Sequence, residues 1–443
     1  MSPGELFLAF IRHLEMKNIP YAVLGDTESY PYEIHSDVDM VLLPEDYKNC
    51  GDIIREFTEH TDSALVQLLQ HEFCASYFVL AWKNKDRKRS FISLDICSDY
   101  YRKGKPFLKA ADLLKNTNIG SDNGDQSLFK TLSPEMEFIY YFIKKIDKGA
   151  INETQFNHLQ KQFIKNPEPC IKNLEILWPP ETAKDIGLWL KDSRFPVLQS
   201  SISELKNQLK KNPGPTFTDL FREARRKIRR AFQPTGLIIA LLGPDGCGKS
   251  TLGTILQKEL APAFRGNIGF HLRPNFFSFK KMDTTQPVYD PHAQKPRSAV
   301  ASALKLIYFL SDYVLGFIFI LYPLKARSNL ILFDRYYHDL MIDPKRYRYN
   351  APMWLALMIG YLIPKPDLFF VLDAPARIIQ SRKQEVPFSE TERQRDAYSN
   401  FTRWGARSFV LDTDRSIEET TGEINDIVLK FMNKRINNRM NSN

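Results

Sequence analysis

The run Gly243-Pro244-Asp245-Gly246-Cys247-Gly248-Lys249-Ser250-Thr251 has the residue types and spacing of a phosphate-binding loop, G-x-x-x-x-G-K-[ST]. It stands directly after a continuous apolar run (237–242) and directly before a helical pattern (251–260), the context such a loop needs. Its glycines let backbone N–H groups curl around phosphate oxygens, and the start of the helix adds a partial positive charge. Lys249 would reach the β- and γ-phosphates, and Ser250 would supply a magnesium ligand. ATP and Mg2+ are therefore the expected cofactors, with Gly243, Asp245, Gly246, Gly248, Lys249, Ser250 and Thr251 as the nucleotide-binding set. Cys247 fills a position that needs only a small residue.

Two later apolar runs also end in charge. The run 329–333 leads into Asp334-Arg335-Tyr336. A carboxylate there can hold magnesium through water or polarise an acceptor, and Arg335 can neutralise phosphate charge. The run 367–372 leads into Asp373, then Arg377, Arg382, Lys383 and Glu385, then Glu390, Arg393 and Arg395. An Arg-dense, Pro-interrupted helical segment suits a lid that closes over a nucleotide, the plainer reading being a charged surface helix. Lys249, Asp334, Arg335 and Arg382 are the expected catalytic residues.

A second constellation lies near the N-terminus, where an apolar run (21–24) reaches Gly25 and is followed by Ser36-Asp37-Val38-Asp39-Met40. Carboxylates at i and i+2 on a strand share a face and can share magnesium. Asp95 sits inside the apolar run 91–97, where a charge needs a partner or a metal. Asp37, Asp39 and Asp95, with Ser250, are thus the candidate metal ligands. His35 reads as a loop residue and His338 as structural or surface.

Over 236–432 the chain resembles the thymidylate kinase-like branch of P-loop kinases. Gly243, Asp245, Gly246, Gly248, Lys249, Ser250 and Thr251 match that family's G-x-D-G-x-G-K-S-T loop, and Asp334-Arg335-Tyr336 matches its D-R-[YH] motif. The resemblance implies that Asp245 contacts an acceptor hydroxyl, Arg335 an acceptor phosphate, and Arg382 with Lys383 the lid. It also implies that Arg273, in His271-Leu272-Arg273-Pro274, faces the acceptor, making Asp245, Arg273 and Arg335 the substrate-binding set. The sequence departs from the family at Ser311-Asp312-Tyr313, where the family carries Ala-Asp-Arg, and in the basic run Asp343-Pro344-Lys345-Arg346-Tyr347-Arg348. Both departures point away from thymidylate as the acceptor. Over 5–130 the chain is similar to the nucleotidyltransferase superfamily, which implies that Asp37, Asp39 and Asp95 ligate metal for nucleotidyl transfer. Asp26 stands where that family usually has Gly or Ser. A fusion of two such halves resembles proteins of bacterial surface-polysaccharide gene clusters.

These residues need elements to position them. The expected fold class is α/β: a C-terminal P-loop kinase fold with a parallel sheet, an N-terminal nucleotidyltransferase-like α/β domain and a helical connector. The expected boundaries are 1–130, 131–232 and 233–443. In the first part an opening helix (5–17) precedes strands at 21–24, 39–43, 77–82 and 91–97. Helical periodicity fills 134–146, 153–164 and 202–211, interrupted by Pro167, Pro169, Pro179-Pro180 and Asn212-Pro213-Gly214-Pro215. The connector ends in a basic amphipathic segment (219–232), read as a solvated helix face, with an acidic-lipid or polyanion contact as the alternative. The most apolar stretch, 304–322, approaches membrane-spanning length. A single crossing would put Ser250 and Asp334 on opposite sides of the bilayer, so the stretch is expected to be a buried core helix. Shallow contact with a membrane or a lipid-linked glycan is the second reading.

The composition is that of an ordinary globular chain of 443 residues, 43% hydrophobic and 26% charged, which excludes wholesale disorder and collagen-like classes. Five scattered cysteines give no disulfide framework or zinc spacing, and the N-terminus lacks a basic leader, so a cytoplasmic protein is expected. The net charge of +9 is concentrated in 222–230, 345–348 and 377–395, which favours phosphate-bearing substrates over nucleic acid. The leading expectation is an ATP-dependent phosphotransferase acting on a nucleoside monophosphate or a sugar or glycan hydroxyl. The rivals are a nucleotidyltransferase using the N-terminal carboxylates and a non-catalytic, nucleotide-gated binding module.

Overall fold

The computed structural model describes the chain except for residues 87, 103–104, 116, 121–127, 210–216, 278–291, 293–294, 402–406 and 442–443. The breaker at 212–215 therefore lies outside the described residues. Two compact units emerge, one of 1–228 with 438–443, the other of 229–437, with the division inside the helix Phe217–Phe232.

The first unit holds β1 (Tyr21–Leu24), β2 (Val38–Leu42), β3 (Ser63–Glu72), β4 (Ala75–Lys83), β5 (Arg89–Cys97), β6 (Tyr100–Arg102), β7 (Lys105–Leu108), β8 (Thr117–Gly120) and β9 (Phe129–Leu132). Strands β6 and β7 form a ribbon; the others form one mixed sheet, in order β3-β4-β5-β2-β1-β9-β8. β2 runs parallel to β5, which sets Asp39 directly opposite Asp95. The helix Pro3–Met16 opens on a capping box in which Ser2 and Glu5 satisfy each other's backbone N–H groups.

Five helices follow: Pro134–Lys148, Glu153–Lys165, Pro167–Leu177, Pro180–Lys191 and Phe195–Gln208. They close around Phe138, Phe142, Phe163 and the fully buried Trp178, whose indole N–H donates to the Leu205 carbonyl at 2.8 Å. Pro167 and Pro180 do not interrupt this stack. Each opens a helix at its first position, where the missing N–H has no intrahelical partner to lose.

The second unit holds β10 (Leu237–Leu242), β11 (Gly266–His271), β12 (Asn329–Asp334), β13 (Leu368–Asp373) and β14 (Ser408–Asp412), all parallel, in order β11-β12-β10-β13-β14. This is the parallel α/β P-loop fold expected from the sequence. β10 is buried throughout and lies at the centre, so the chain winds outward from it in both directions. In such sheets ligands bind beyond the carboxyl ends of the strands where the winding reverses. That place is the end of β10, where the phosphate loop begins.

The apolar stretch forms part of a 28-residue helix, Ala299–Ala326, with one π-helical turn at Phe317–Leu321. Its inner side, with Leu306, Phe309, Tyr313 and Leu321, packs on Ile238, Ala240, Ile331 and Phe333 of the sheet. The expectation of a buried core helix holds for that side only. Val300, Leu304, Ile307, Ile318 and Phe319 are exposed, because sheet and neighbouring helices cover just one face.

Gly236 enters β10 through a gap with no room for a side chain. A Cβ there would stand 2.5 Å from the Lys325 carbonyl oxygen and 2.6 Å from that of Asn329. Gly236→Ala should lower unfolding free energy by about 1–3 kcal/mol, whereas Gly422→Ala, which meets nothing within 4 Å in a helix, should be neutral or slightly stabilising. Urea unfolding of the two variants checks this; equal stabilities would contradict it.

Candidate active site

The phosphate loop is shaped by what packs beneath it. Gly243 has φ +141° and a Cβ there would meet the Leu372 carbonyl oxygen at 2.4 Å; Gly246 (φ +91°) lies similarly close to the Ile379 carbonyl. Side chains at either place would push the loop off β13 and off the helix Ala376–Arg382. Gly248, with φ +92°, caps the helix Lys249–Glu259. The loop's own carbonyls hold Lys249, whose ammonium donates to Gly243 O at 2.8 Å and Pro244 O at 2.7 Å.

The Ser250 hydroxyl donates to Asp334 Oδ2 at 2.7 Å, joining the loop to the end of β12. The other carboxylate oxygen, Asp334 Oδ1, is buried without a hydrogen-bond partner among the described residues. A hydroxyl and a carboxylate with a spare buried oxygen fit a hard, oxygen-seeking ion such as magnesium.

Asp245 and Arg335 form the centre of the charge network. Arg335 follows β12 with φ +70°, its backbone N–H donating to Leu241 O at 3.0 Å. Its buried guanidinium donates to Asp339 Oδ2 at 2.6 Å and to Asp245. Arg346 donates to the other oxygen of Asp245 and, at 3.3 Å, to Glu385. Burial alone would raise the Asp245 carboxyl, but Arg335, Lys249 and Arg346 hold it well below the usual carboxylate range.

These groups surround a cavity of about 720 Å3 that also reaches His271, Thr251, Arg382 and Lys383. Arg382 is anchored by donation to Thr413 O at 2.9 Å, and Lys383 pairs with Glu385 at 2.6 Å. A smaller cavity of about 220 Å3 shares Thr251 and Arg382 with the larger one and is also lined by Cys247, Thr413 and Arg415.

Arg273 is placed elsewhere. Its guanidinium lies 3.5 Å from Asp312 and about 5 Å from the ring centres of Tyr308 and Phe309, and it is absent from the lining of the larger cavity. The buried Asp312 carboxylate, which also accepts the backbone N–H groups of Asn275 and Phe277, draws it there. Arg273 thus stands beside Asp312 and outside the lining of the larger cavity. His338 is buried between Tyr336 and Phe369, and burial pushes its imidazole down to about 3, a structural placement.

Arg346 and His271 line the cavity without having been singled out as site residues. For Arg346 the signal was the basic run 345–348. For Thr413 and Arg415 it was their place just after a strand, β14, whose apolar core is too short to stand out.

In the first unit Asp39 stands opposite Asp95 across the β2–β5 ladder and the Asp39 and Asp37 charges both act on Asp95, but among the described residues the three carboxylates do not converge to metal-sharing distance. Asp37, just before β2, accepts from Tyr77 at 3.0 Å; Asp39 pairs with Lys144 at 3.1 Å; Asp95 lies 3.5 Å from His71. Burial, then the Asp39 charge, push the Asp95 carboxyl up to about 7. Nearby, the N–H of Gly25 (φ +87°) donates to Glu137 at 2.9 Å. Lys144 and Glu137 come from the helical stack, and nothing in their sequence spacing announces the role.

No family model matches the chain, and no curated protein matches it. Among solved structures, thymidylate kinase from Candida albicans is similar at 16% identity over 45% of this chain and 93% of that enzyme, with a TM-score of 0.33. Thymidylate kinase from Ehrlichia chaffeensis is similar at 15% identity over 44% of this chain and 98% of that enzyme, with a TM-score of 0.31.

The raised Asp95 carboxyl has a stability consequence. A carboxyl with a folded-state pKa above its unfolded value stabilises the fold at low pH, and that contribution is lost as pH rises, here from about 4 to about 7. Asp95→Asn should therefore gain on the wild type across that window, by about 1–3 kcal/mol, and gain no more above it. Denaturant unfolding at several pH values without divalent cations tests this; a pH-independent difference would count against it.

Proposed function

We propose that the second unit is an ATP-dependent phosphotransferase whose acceptor is a nucleoside monophosphate or a sugar or glycan hydroxyl. The observation that carries this reading is the Ser250–Asp334 pair with its spare buried oxygen, set beside Lys249 in a cavity lined by Arg335, Arg346, Arg382 and Lys383. Ser250 and Asp334 would hold magnesium, which, when bound, draws charge from the β- and γ-phosphates. Lys249 would exchange its two loop carbonyls for phosphate oxygens. Arg382, standing between the two cavities, would meet the charge of the phosphoryl group in transfer, and Asp334 with Arg335 would organise the acceptor. The acceptor oxygen would bond to the γ-phosphorus as the bond to the β-phosphate oxygen of ADP breaks, a hydroxyl acceptor releasing its proton to water. The smaller cavity would receive the nucleotide base.

A second reading, nucleotidyl transfer by the first unit, is favoured by Asp39 standing opposite Asp95 across the β2–β5 ladder, with Asp37 two residues before Asp39. Lys144 would leave Asp39 to metal, and Asp95, neutral below about pH 7, would ionise on metal binding. Asp26, near the loop after β1, adds a negative charge that works against a triphosphate there.

The deciding measurement is product analysis by mass spectrometry after incubation with ATP labelled at the γ- or the α-phosphate, in the presence of cell extract as acceptor source. Transfer of the γ-label is expected, reduced about 100-fold or more by Lys249→Ala and untouched by Asp37→Asn with Asp39→Asn. Turnover of Lys249→Ala near the wild-type rate would remove the kinase assignment. Incorporation of α-label that depends on Asp37 and Asp39 would establish the second reading.

A further inference from the structure

The helix Ala299–Ala326 is apolar on its outer side as well as on the inner side that packs on the sheet. In a soluble protein the polar residues of a surface helix face water and its apolar stripe faces the core. Here the polar residues turn inward. Asp312 is 0% exposed and accepts backbone N–H groups of Asn275 and Phe277; Ser302 is 0% exposed and accepts from the Asn350 N–H; Lys305 donates to Tyr347 O at 2.6 Å. The outward stripe is Val300, Leu304, Ile307, Tyr308, Ile318 and Phe319, with Leu304 and Phe319 each more than 60% exposed. These positions recur at helical spacing over most of the helix, and the π-helical turn lies where Ile318 and Phe319 stand side by side in the stripe.

A second helix of the same unit, Met353–Leu362, contains no charged residue and packs beside the first. It too shows apolar side chains to the outside, with Trp354 63% and Tyr361 78% exposed along a stripe that includes Met358 and Leu362. Two helices in contact thus each carry an exposed apolar stripe, more than isolated surface residues would explain. The chain around them is depleted of negative charge. In 295–327 and 344–366 the only acidic residue is the buried Asp312, whereas exposed Lys295, Arg297, Arg327 and Lys365 stand next to the helix ends.

From these stripes we infer that the second unit docks on the surface of an anionic lipid bilayer, lying on it without crossing it. Three features select this occupant. The exposed Trp354, Tyr361 and Tyr308 are the amphipathic aromatics that settle at the level of lipid headgroups. The basic residues at the helix ends complement anionic headgroups, and would repel one another across a self-complementary dimer. The inner side of the helix is committed to the sheet that carries the phosphate loop, so the helix cannot leave the unit to span the bilayer. The inference is independent of the reaction proposed above.

Co-sedimentation of the full chain with sucrose-loaded vesicles, of phosphatidylcholine alone or with about 30% phosphatidylglycerol, tests it. The wild type should pellet with the mixed vesicles and several-fold less with the neutral ones. Leu304→Glu with Trp354→Glu should lower partition about tenfold or more. Arg297→Glu with Lys365→Glu should remove the preference for the anionic lipid while retaining the weaker neutral-vesicle binding. Unchanged thermal midpoints and unchanged binding of a fluorescent ATP analogue would show that these variants fold. Wild-type protein remaining in the supernatant with both vesicles, or glutamate variants that pellet like wild type, would overturn the inference. So would a dimer in light scattering that the glutamate pair converts to monomer without any vesicle binding, since the stripes would then join two copies of this chain.

Discussion

A buried guanidinium governs the second unit. Arg335 leaves water almost completely, and a buried charge costs several kcal/mol unless its donors are met by well-placed acceptors. Asp339, four residues further on, and Asp245, in the phosphate loop, meet them. This fixes more than one side chain. It pins the phosphate loop to the end of β12, brings Asp334 against Ser250, and leaves Arg346 as the second guanidinium on Asp245. A cavity crowded with cations would otherwise force its own walls apart. The carboxylates keep it assembled until phosphate oxygens take over the work of charge compensation.

Three carboxylates, Asp312 buried and Asp245 and Asp95 half-buried, show how differently the same group is treated. Asp245 is surrounded by cations and stays ionised. Asp312 is stabilised by two backbone N–H groups and the approach of Arg273, which makes it a clasp for the segment after β11. Asp95 faces another carboxylate across the β2–β5 ladder and has only a distant imidazole and Lys144 to help it. In the first two the carboxylate itself is met by cations or backbone N–H groups. The third is poorly compensated, which is the condition expected of a group kept for binding rather than for folding.

Much of this was legible in the residues, for reasons that differ from place to place. The phosphate loop is contiguous, with Gly243 and Gly246 demanded by backbone approaches of 2.4 and 2.8 Å and Gly248 by its φ of +92°, so spacing alone identifies it. Strands β10, β12 and β13 are buried and read as unbroken apolar runs. β11 escapes because it is an edge strand whose Gly266, Asn267 and Gly269 dilute any pattern. The helices starting at Pro167 and Pro180 escape because proline reads as a stop when it is in fact a start. Arg346, Lys144 and Glu137 reach their sites through tertiary folding across long stretches of chain, which no local pattern records. The double character of the helix Ala299–Ala326 was hidden as well, since hydrophobicity alone does not tell which side the sheet will cover.

That helix is joined to β12 by a short turn, Arg327-Ser328, with Ser328 at φ +65°. The Ser328 hydroxyl pairs with Thr235 just before β10, and its carbonyl accepts the N–H of Arg265 just before β11. Beyond it, β12 is laddered on both sides, residue by residue, up to Asp334. A strand held this way cannot slide without breaking every rung on both flanks. The turn therefore gathers the entries of β10, β11 and β12 at one point, and the position of the Asp334 oxygens is set by strand register rather than by the long helix.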